Sequence, residues 1–306
     1  MISIVIPTRD RPALVCRAIK SVLVQSVSQY EVVVVVDGCD STTVEAINNL
    51  FDGQVKIIEL VESVGGAEAR NIGVRAASGF YVAFLDDDDE WHTDKLKLQL
   101  ACAADLARPV ISSRVIARTP AGDHVWPRRL YTEGENIGDY LLSRDGTRYG
   151  ERLMQTSSLL TTRELLLEVP FRKGLRRHQD LDWLIRVAQT QGVVIRQLPE
   201  PLAVWYIGDA RSSVSRAAGW NVSHEWLRSI RPYITQRAYL GFIVTQIAPL
   251  AARDKDVRSF FYFAFELLLK RAPLSDMLTY LLMWCVPQNA RHRLRNFFTI
   301  EKRARL

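Results

Sequence analysis

The stretch AFLDDDDEWH, residues 83–92, decides how this chain is read. The apolar run from Phe80 to Leu85 predicts a buried strand, and it opens directly onto Asp86, Asp87, Asp88, Asp89 and Glu90. Five adjacent acids repel one another, and ionised carboxylates beside a core are costly unless paired or metal-bound. The run therefore requires a positive partner, and the surrounding sequence indicates which kind.

Upstream of the acids, strand and helix patterns alternate. Ile2–Ile6 is a short apolar run, and Pro12 suits the first turn of the helix that follows. Leu14, Ala18 and Val22, with Val15, Ile19 and Leu23, give that helix a wide apolar face. Glu31–Val36 contains five consecutive valines, as expected of a strand buried on both faces. A helix near Thr43–Leu50, a strand at Val55–Leu60 and a helix at about Ala67–Ala77 lead into the strand Phe80–Leu85. Thr93 is the expected cap of the next helix. This alternation predicts an α/β fold with a mostly parallel sheet flanked by helices. Further on, Val110–Ala117, Ser157–Thr161, Val193–Leu198 and Leu202–Tyr206 read as strands, and Asp180–Gln191 as a helix. Residues 120–150 read as a loop facing an acceptor. From about Gly219 the chain turns to aromatic-rich helices, which sets the expected domains at 1–217 and 218–306.

The 306 residues, 48% apolar and 24% charged, suffice for a full core in one large domain or two. The strand-like N-terminus lacks a basic leader pattern, so no signal peptide is expected. Cys16, Cys39, Cys102 and Cys285 are too scattered for a zinc site or a disulfide framework, which fits a reducing, cytoplasmic setting. No window reaches the roughly 18 apolar residues of a spanning helix. Net charge is +6, and from Arg291 onward six Arg/Lys face one Glu. Such an end can attract phosphates or an anionic membrane surface.

In an open α/β sheet, ligands bind beyond the carboxyl ends of the strands. Thr8 and Asp10 follow the first strand, Asp37 and Asp40 the second, and Asp86–Asp89 the fourth, so three clusters are expected along one edge. Acids also favour loops and helix N-termini for local reasons, which accounts for one cluster better than for three. Oxygen ligands without His or Cys suit Mg²⁺ or Mn²⁺. An EF-hand fails, because Trp91 and Lys97 stand where its Gly and Glu are needed. A metal carrying a diphosphate is the expected neutralising partner.

The strings SIVIPTRDRP, VVVVVDGCDS, GGAEARNIGVRAASGFYVAFLDDDDEW and HQDLDWLIR, in this order, resemble the motifs of glycosyltransferase family 2 over roughly residues 1–216. The resemblance implies a GT-A, Rossmann-like fold and an inverting enzyme that uses a nucleoside-diphosphate sugar, expected to be UDP-linked. It implies that Pro7, Thr8 and Asp10 lie by the nucleobase, that Asp37 contacts uracil or ribose, and that Arg70 and Asn71 lie beside the nucleotide. Asp86 and Asp88 match the DXD element. The resemblance places Asp87 in the same donor site; the run of four acids leaves the metal ligand open, with Asp88 the first expectation and Asp89 a second that could share it.

Asp180 matches the general base that takes the acceptor hydroxyl's proton. Its competing reading is a first-turn acid that stabilises its helix. The histidine often found after the last core strand is missing, and Arg211 or Asp209 stands in its place. His178 is read equally as a packing residue or an acceptor contact.

The expected acceptor is a glycan or a lipid-linked sugar in bacterial-type polysaccharide or glycoconjugate synthesis. The aromatic, Leu-rich C-terminal helices and their basic end suggest peripheral attachment to the inner face of a membrane, or a helical bundle or homodimer contact. No nucleic-acid partner is expected. The rival classes are a sugar-phosphate nucleotidyltransferase, disfavoured because PTRDRP lacks a Gly-rich phosphate loop, and a non-catalytic nucleotide-sugar-binding module.

Overall fold

Four short parallel strands organise the N-terminal part of the chain. The computed structural model describes residues 1–143, 150–208 and 219–286. Strands β1 (Ile2–Thr8), β2 (Tyr30–Val36), β3 (Lys56–Glu59) and β4 (Tyr81–Phe84) alternate with helices α1 (Pro12–Leu23), α2 (Ser41–Phe51) and α3 (Gly66–Ala76). Pro12 opens α1, and Asp40 caps α2 by accepting from the Thr43 N–H at 3.1 Å. All five valines of β2 are buried, because helices cover both faces of this part of the sheet.

Beyond β4 the sheet becomes mixed. A two-residue strand, β5 (Glu90–Trp91), precedes α4 (Lys95–Ala103), β6 (Arg108–Thr119), β7 (Gly122–Trp126) and α5 (Ile137–Leu142). Then come β8 (Leu160–Thr162), α6 (Arg163–Glu168), α7 (Gln179–Val187) and β9 (Val193–Tyr206). The strand order is β3-β2-β1-β4-β8-β6-β9-β5, with β7 hairpinned onto β6. β8 runs antiparallel to both β4 and β6, while β9 runs parallel to β6.

Three local expectations change. The segment 120–150 is not all loop, since it contains β7 and α5; residues 144–149 lie outside the described set. The two strands expected at Val193–Leu198 and Leu202–Tyr206 form one strand, with the register shifting near Ser113 and Arg114 where Pro199 and Pro201 interrupt the apolar pattern. At α4 the residue in the cap position is Asp94 rather than Thr93, and it makes no capping bond. Gln25 Oε1 instead accepts from the Leu96 N–H at 3.1 Å, supplying a partner that the helix end lacks.

The chain divides into two compact units, Met1–Leu141 with Arg148–Val214, and Leu142–Thr147 with Ser215–Leu306. In the second unit, α8 (Trp220–Ser229) precedes a continuous helix built of α9 (Gln236–Phe242), a π-turn (Ile243–Ile247) and α10 (Ala248–Arg253). The wider π-turn lies just ahead of Pro249, whose missing N–H would otherwise interrupt the ladder. Helices α11 (Val257–Leu269) and α12 (Leu274–Cys285) complete the described unit.

Candidate active site

The three acidic clusters are brought together by strand register. Thr8 pairs with Val36 at the end of β1 and β2, and Val5 pairs with Phe84 at the end of β4. The Asp37 N–H donates to Thr8 O at 2.8 Å, and the Leu85 N–H donates to Val5 O at 3.2 Å. The Thr8 hydroxyl then donates to Asp87 Oδ2 at 2.8 Å, joining the first strand directly to the acidic turn.

Asp37 organises the entry to α3. Its carboxylate accepts from Ser63 Oγ at 3.0 Å, the Val64 N–H at 2.6 Å and the Gly65 N–H at 3.0 Å. Gly65 sits at the cap position of α3 with φ 83°, a conformation costly for residues with a Cβ. Pro7 lies inside β1, whereas the Asp10 side chain points into solvent. The Asp10 N–H donates to Asp40 Oδ2 at 3.0 Å.

Within the turn, alternate acids face opposite ways. Asp86 and Asp88 keep side-chain exposures of 27% and 36%, whereas Asp87 and Asp89 are buried. Arg11 Nη1 bridges Asp87 Oδ1 at 3.0 Å and Asp88 Oδ2 at 3.2 Å. Arg17 donates to the Asp88 carbonyl at 2.6 Å and pairs with Glu90 at 3.0 Å. Arg70 pairs with Asp86 and donates to Gln179 Oε1 at 2.8 Å. Three arginines thus supply positive partners that the sequence reading assigned to a metal alone. Burial still pushes the Asp87 carboxyl up to about 6, despite the opposing charge of Arg11.

Asp89 is a structural member of the turn. Its Oδ2 accepts from Gln155 Nε2 at 2.6 Å and Ser157 Oγ at 2.7 Å, and its Oδ1 accepts from the Tyr206 N–H at 3.3 Å. Burial, with Asp86 and Asp88 nearby, holds its carboxyl well above the usual carboxylate range. An acid with both oxygens engaged in the core is poorly placed to share a metal, contrary to the expectation for Asp89. Ser157 Oγ also accepts from the Asp86 N–H at 3.0 Å, so one hydroxyl fixes both ends of the turn.

α7 brings Asp180 to this edge. His178 caps the helix in the left-handed region at φ 63°, and Asp180 lies in the first turn with intermediate exposure. Burial raises the Asp180 carboxyl; the nearby charge of Asp86 adds to the rise and Arg70 opposes it. Burial, helped by Arg177, pushes the His178 imidazole down to about 3. Asn71, expected beside the nucleotide, is held elsewhere. Its side chain donates to Phe171 O and Glu68 and accepts from the Phe171 N–H, all at 2.9 Å. Arg211 and Asp209 lie outside the described residues.

Among the described residues, no group of three or more His, Cys, Asp or Glu side chains could hold a metal ion by itself. The two partly exposed carboxylates, Asp86 and Asp88, do fit an ion that completes its shell with diphosphate oxygens and water. Arg11, Arg17, Gln155, Ser157 and Gln179 were missed by motif reading. Arg11 and Arg17 had a usable signal, since they follow β1 on the edge where the acids gather.

The fold and this acidic edge define a glycosyltransferase of the GT-A type. The solved structure of S. aureus TarS 1–349 in complex with UDP-GlcNAc superposes with a TM-score of 0.59 at 17% identity, covering 92% of this chain and 79% of that one. The mannosyltransferase PcManGT from Pyrobaculum calidifontis, solved with GDP-Man and Mn²⁺, gives 0.57 at 18% identity, covering 93% and 86%. At such identities the likeness establishes the fold. The chain belongs to glycosyltransferase family 2: the family model described as Glycosyl transferase family 2 matches residues 3–169. The amylovoran biosynthesis glycosyltransferase AmsB of Erwinia amylovora is 30% identical over 245 residues, 77% of this chain and 79% of its own length.

Proposed function

We propose that this glycosyltransferase is inverting and transfers a hexosyl or N-acetylhexosaminyl group from a UDP-linked sugar to an acceptor hydroxyl. The observation that carries this is the convergence of Asp86, Asp88 and Asp180 on one sheet edge, with Arg70 joined to Asp86 and, through Gln179, to the first turn of α7. Thr8, Asp10 and Asp37 border the nucleoside, and Arg70 and Asp86 hold the ribose and diphosphate. Asp180 takes the acceptor proton as the acceptor oxygen bonds to the anomeric carbon, and the bond to the diphosphate breaks on the opposite face. Bound Mg²⁺ or Mn²⁺, held by Asp88, would supply charge stabilisation for the departing diphosphate. The transferase domain spans 1–217, and 218–306 forms a C-terminal region that works near a membrane. The likeness to AmsB supports a role in bacterial polysaccharide or glycoconjugate synthesis, with a glycan or lipid-linked acceptor.

The test is a thermal-shift titration of UDP and GDP with Mn²⁺ or with EDTA. Stabilisation by UDP should require the cation, and Asp88→Asn should abolish the cation-dependent part. Equal nucleotide affinity in EDTA and in Mn²⁺ would refute the metal bridge. Binding without any turnover or donor hydrolysis would leave only a binding module.

A further inference from the structure

The second unit carries an apolar surface that donor chemistry does not use. α11 buries Ser259, Phe263 and Leu267, and α12 buries Tyr280. These helices contact each other and α10. Their other stripes are uncovered. α11 exposes Phe261, Phe265, Leu268 and Leu269, spaced by three and four residues along one face. α12 exposes Leu274, Leu278, Leu281 and Leu282 in the same manner. More than half of the large apolar side chains exposed among the described residues lie in this hairpin. Contiguous apolar surface on this scale marks an interaction site.

The charge around the stripes selects the partner. Lys255, Arg258 and Arg271 are exposed and make no ion pair with a carboxylate among the described residues. Most of the neighbouring acids are engaged. Asp256 caps α11 through the Arg258 and Ser259 N–H groups, Asp254 pairs with Arg253 at 3.0 Å, and Glu266 accepts from the Tyr239 hydroxyl at 2.9 Å. Asp276, in the first turn of α12, accepts from the Ser275 hydroxyl at 3.5 Å. The sequence continues past α12 into residues 287–306, where six Arg/Lys face one Glu.

We infer that the α11–α12 hairpin docks on an anionic phospholipid surface, with its apolar stripes among the acyl chains and its cations at the headgroups. A second copy of the chain would cover the stripes but would set cations against cations, whereas an anionic bilayer complements both features. With 13 and 12 residues, the helices are too short to span and lie in the interface plane. This deepens the proposed membrane-proximal role, although lipid binding does not itself depend on transfer.

The test is flotation of the full chain with phosphatidylglycerol-containing vesicles, beside a variant carrying Phe265→Ser, Leu269→Ser and Leu278→Ser. These side chains are already exposed, so the variant should keep the wild-type melting temperature. Its vesicle partition should fall about tenfold or more, including at high salt. Unchanged flotation of the variant overturns the inference, as does a wild type that does not float. A wild-type dimer that the variant dissolves, with neither floating, assigns the face to self-association instead. Donor hydrolysis in lipid-free solution should match the wild type. A chain that floats but never uses a donor supports the lipid surface and fails the proposed function.

Discussion

Asp180 and Ser157 show how single residues divide the work at this site. Burial, with Asp86 nearby, raises the Asp180 carboxyl, yet the base proposed for this residue acts only when ionised. Turnover should therefore fall as pH drops through a value above the ordinary aspartate range, with full activity on the alkaline side. Asp180→Asn should cut kcat by about a hundredfold or more while donor affinity holds, the range for a lost general base. If its melting temperature falls in step with its rate, the acid serves the helix rather than the reaction. Ser157 touches no substrate in the proposed mechanism. Its hydroxyl bonds both the part-buried Asp86 N–H and the buried Asp89 carboxylate, so Ser157→Ala leaves each short of a partner. A loss of about 1–3 kcal/mol in stability is expected. Cation-supported UDP binding should weaken as well, since the turn carrying Asp88 loses its clamp. Chemical denaturation beside the UDP titration measures both effects, and a change in stability alone would detach the clamp from the site.

At the scale of elements, α3 depends on a close approach that only glycine permits. A Cβ on Gly73 would lie 2.4 Å from Val5 Cγ1 and 3.3 Å from Val35 Cγ2, both in fully buried side chains. Gly73→Ala should lower stability by about 1–3 kcal/mol despite alanine's better helix propensity. Because α3 carries Arg70 to Asp86, donor affinity should decline in parallel; a destabilised variant with unchanged affinity would separate α3 packing from the site. The same region shows what could be read in advance. Strands β1, β2 and β4 are legible because burial leaves short apolar runs, and the edge strand β3 is marked by Ile57 and Ile58 within the strand–helix alternation. The hairpin β6–β7 is not, since its strand Gly122–Trp126 reads as polar, and only its pairing with Val115–Thr119 makes it a strand. The different environments of Asp86 to Asp89 are equally invisible in four identical letters. They depend on Gln155, Ser157 and Tyr206, which lie 66 or more residues away from Asp89.

For the whole molecule, charge and apolar surface are unevenly spread, and they predict two separable modes of membrane binding. The net charge of +6 is nearly matched by the excess of five cations between Arg291 and Leu306, a segment outside the described residues. Each basic residue near an anionic leaflet contributes roughly 1 kcal/mol, and that contribution is screened within a Debye length of about 8–10 Å at physiological salt. Attraction through this tail should therefore disappear at high salt, whereas insertion of the apolar stripes of α11 and α12 should persist. A chain ending at Gln288 should lose most of the salt-sensitive vesicle binding, retain the salt-resistant part, and keep its UDP-dependent thermal shift. Sedimentation with phosphatidylglycerol vesicles across a salt series measures both components. Identical salt profiles for the full and shortened chains would remove the tail from membrane attachment, and loss of the salt-resistant part on truncation would make the hairpin dependent on the tail.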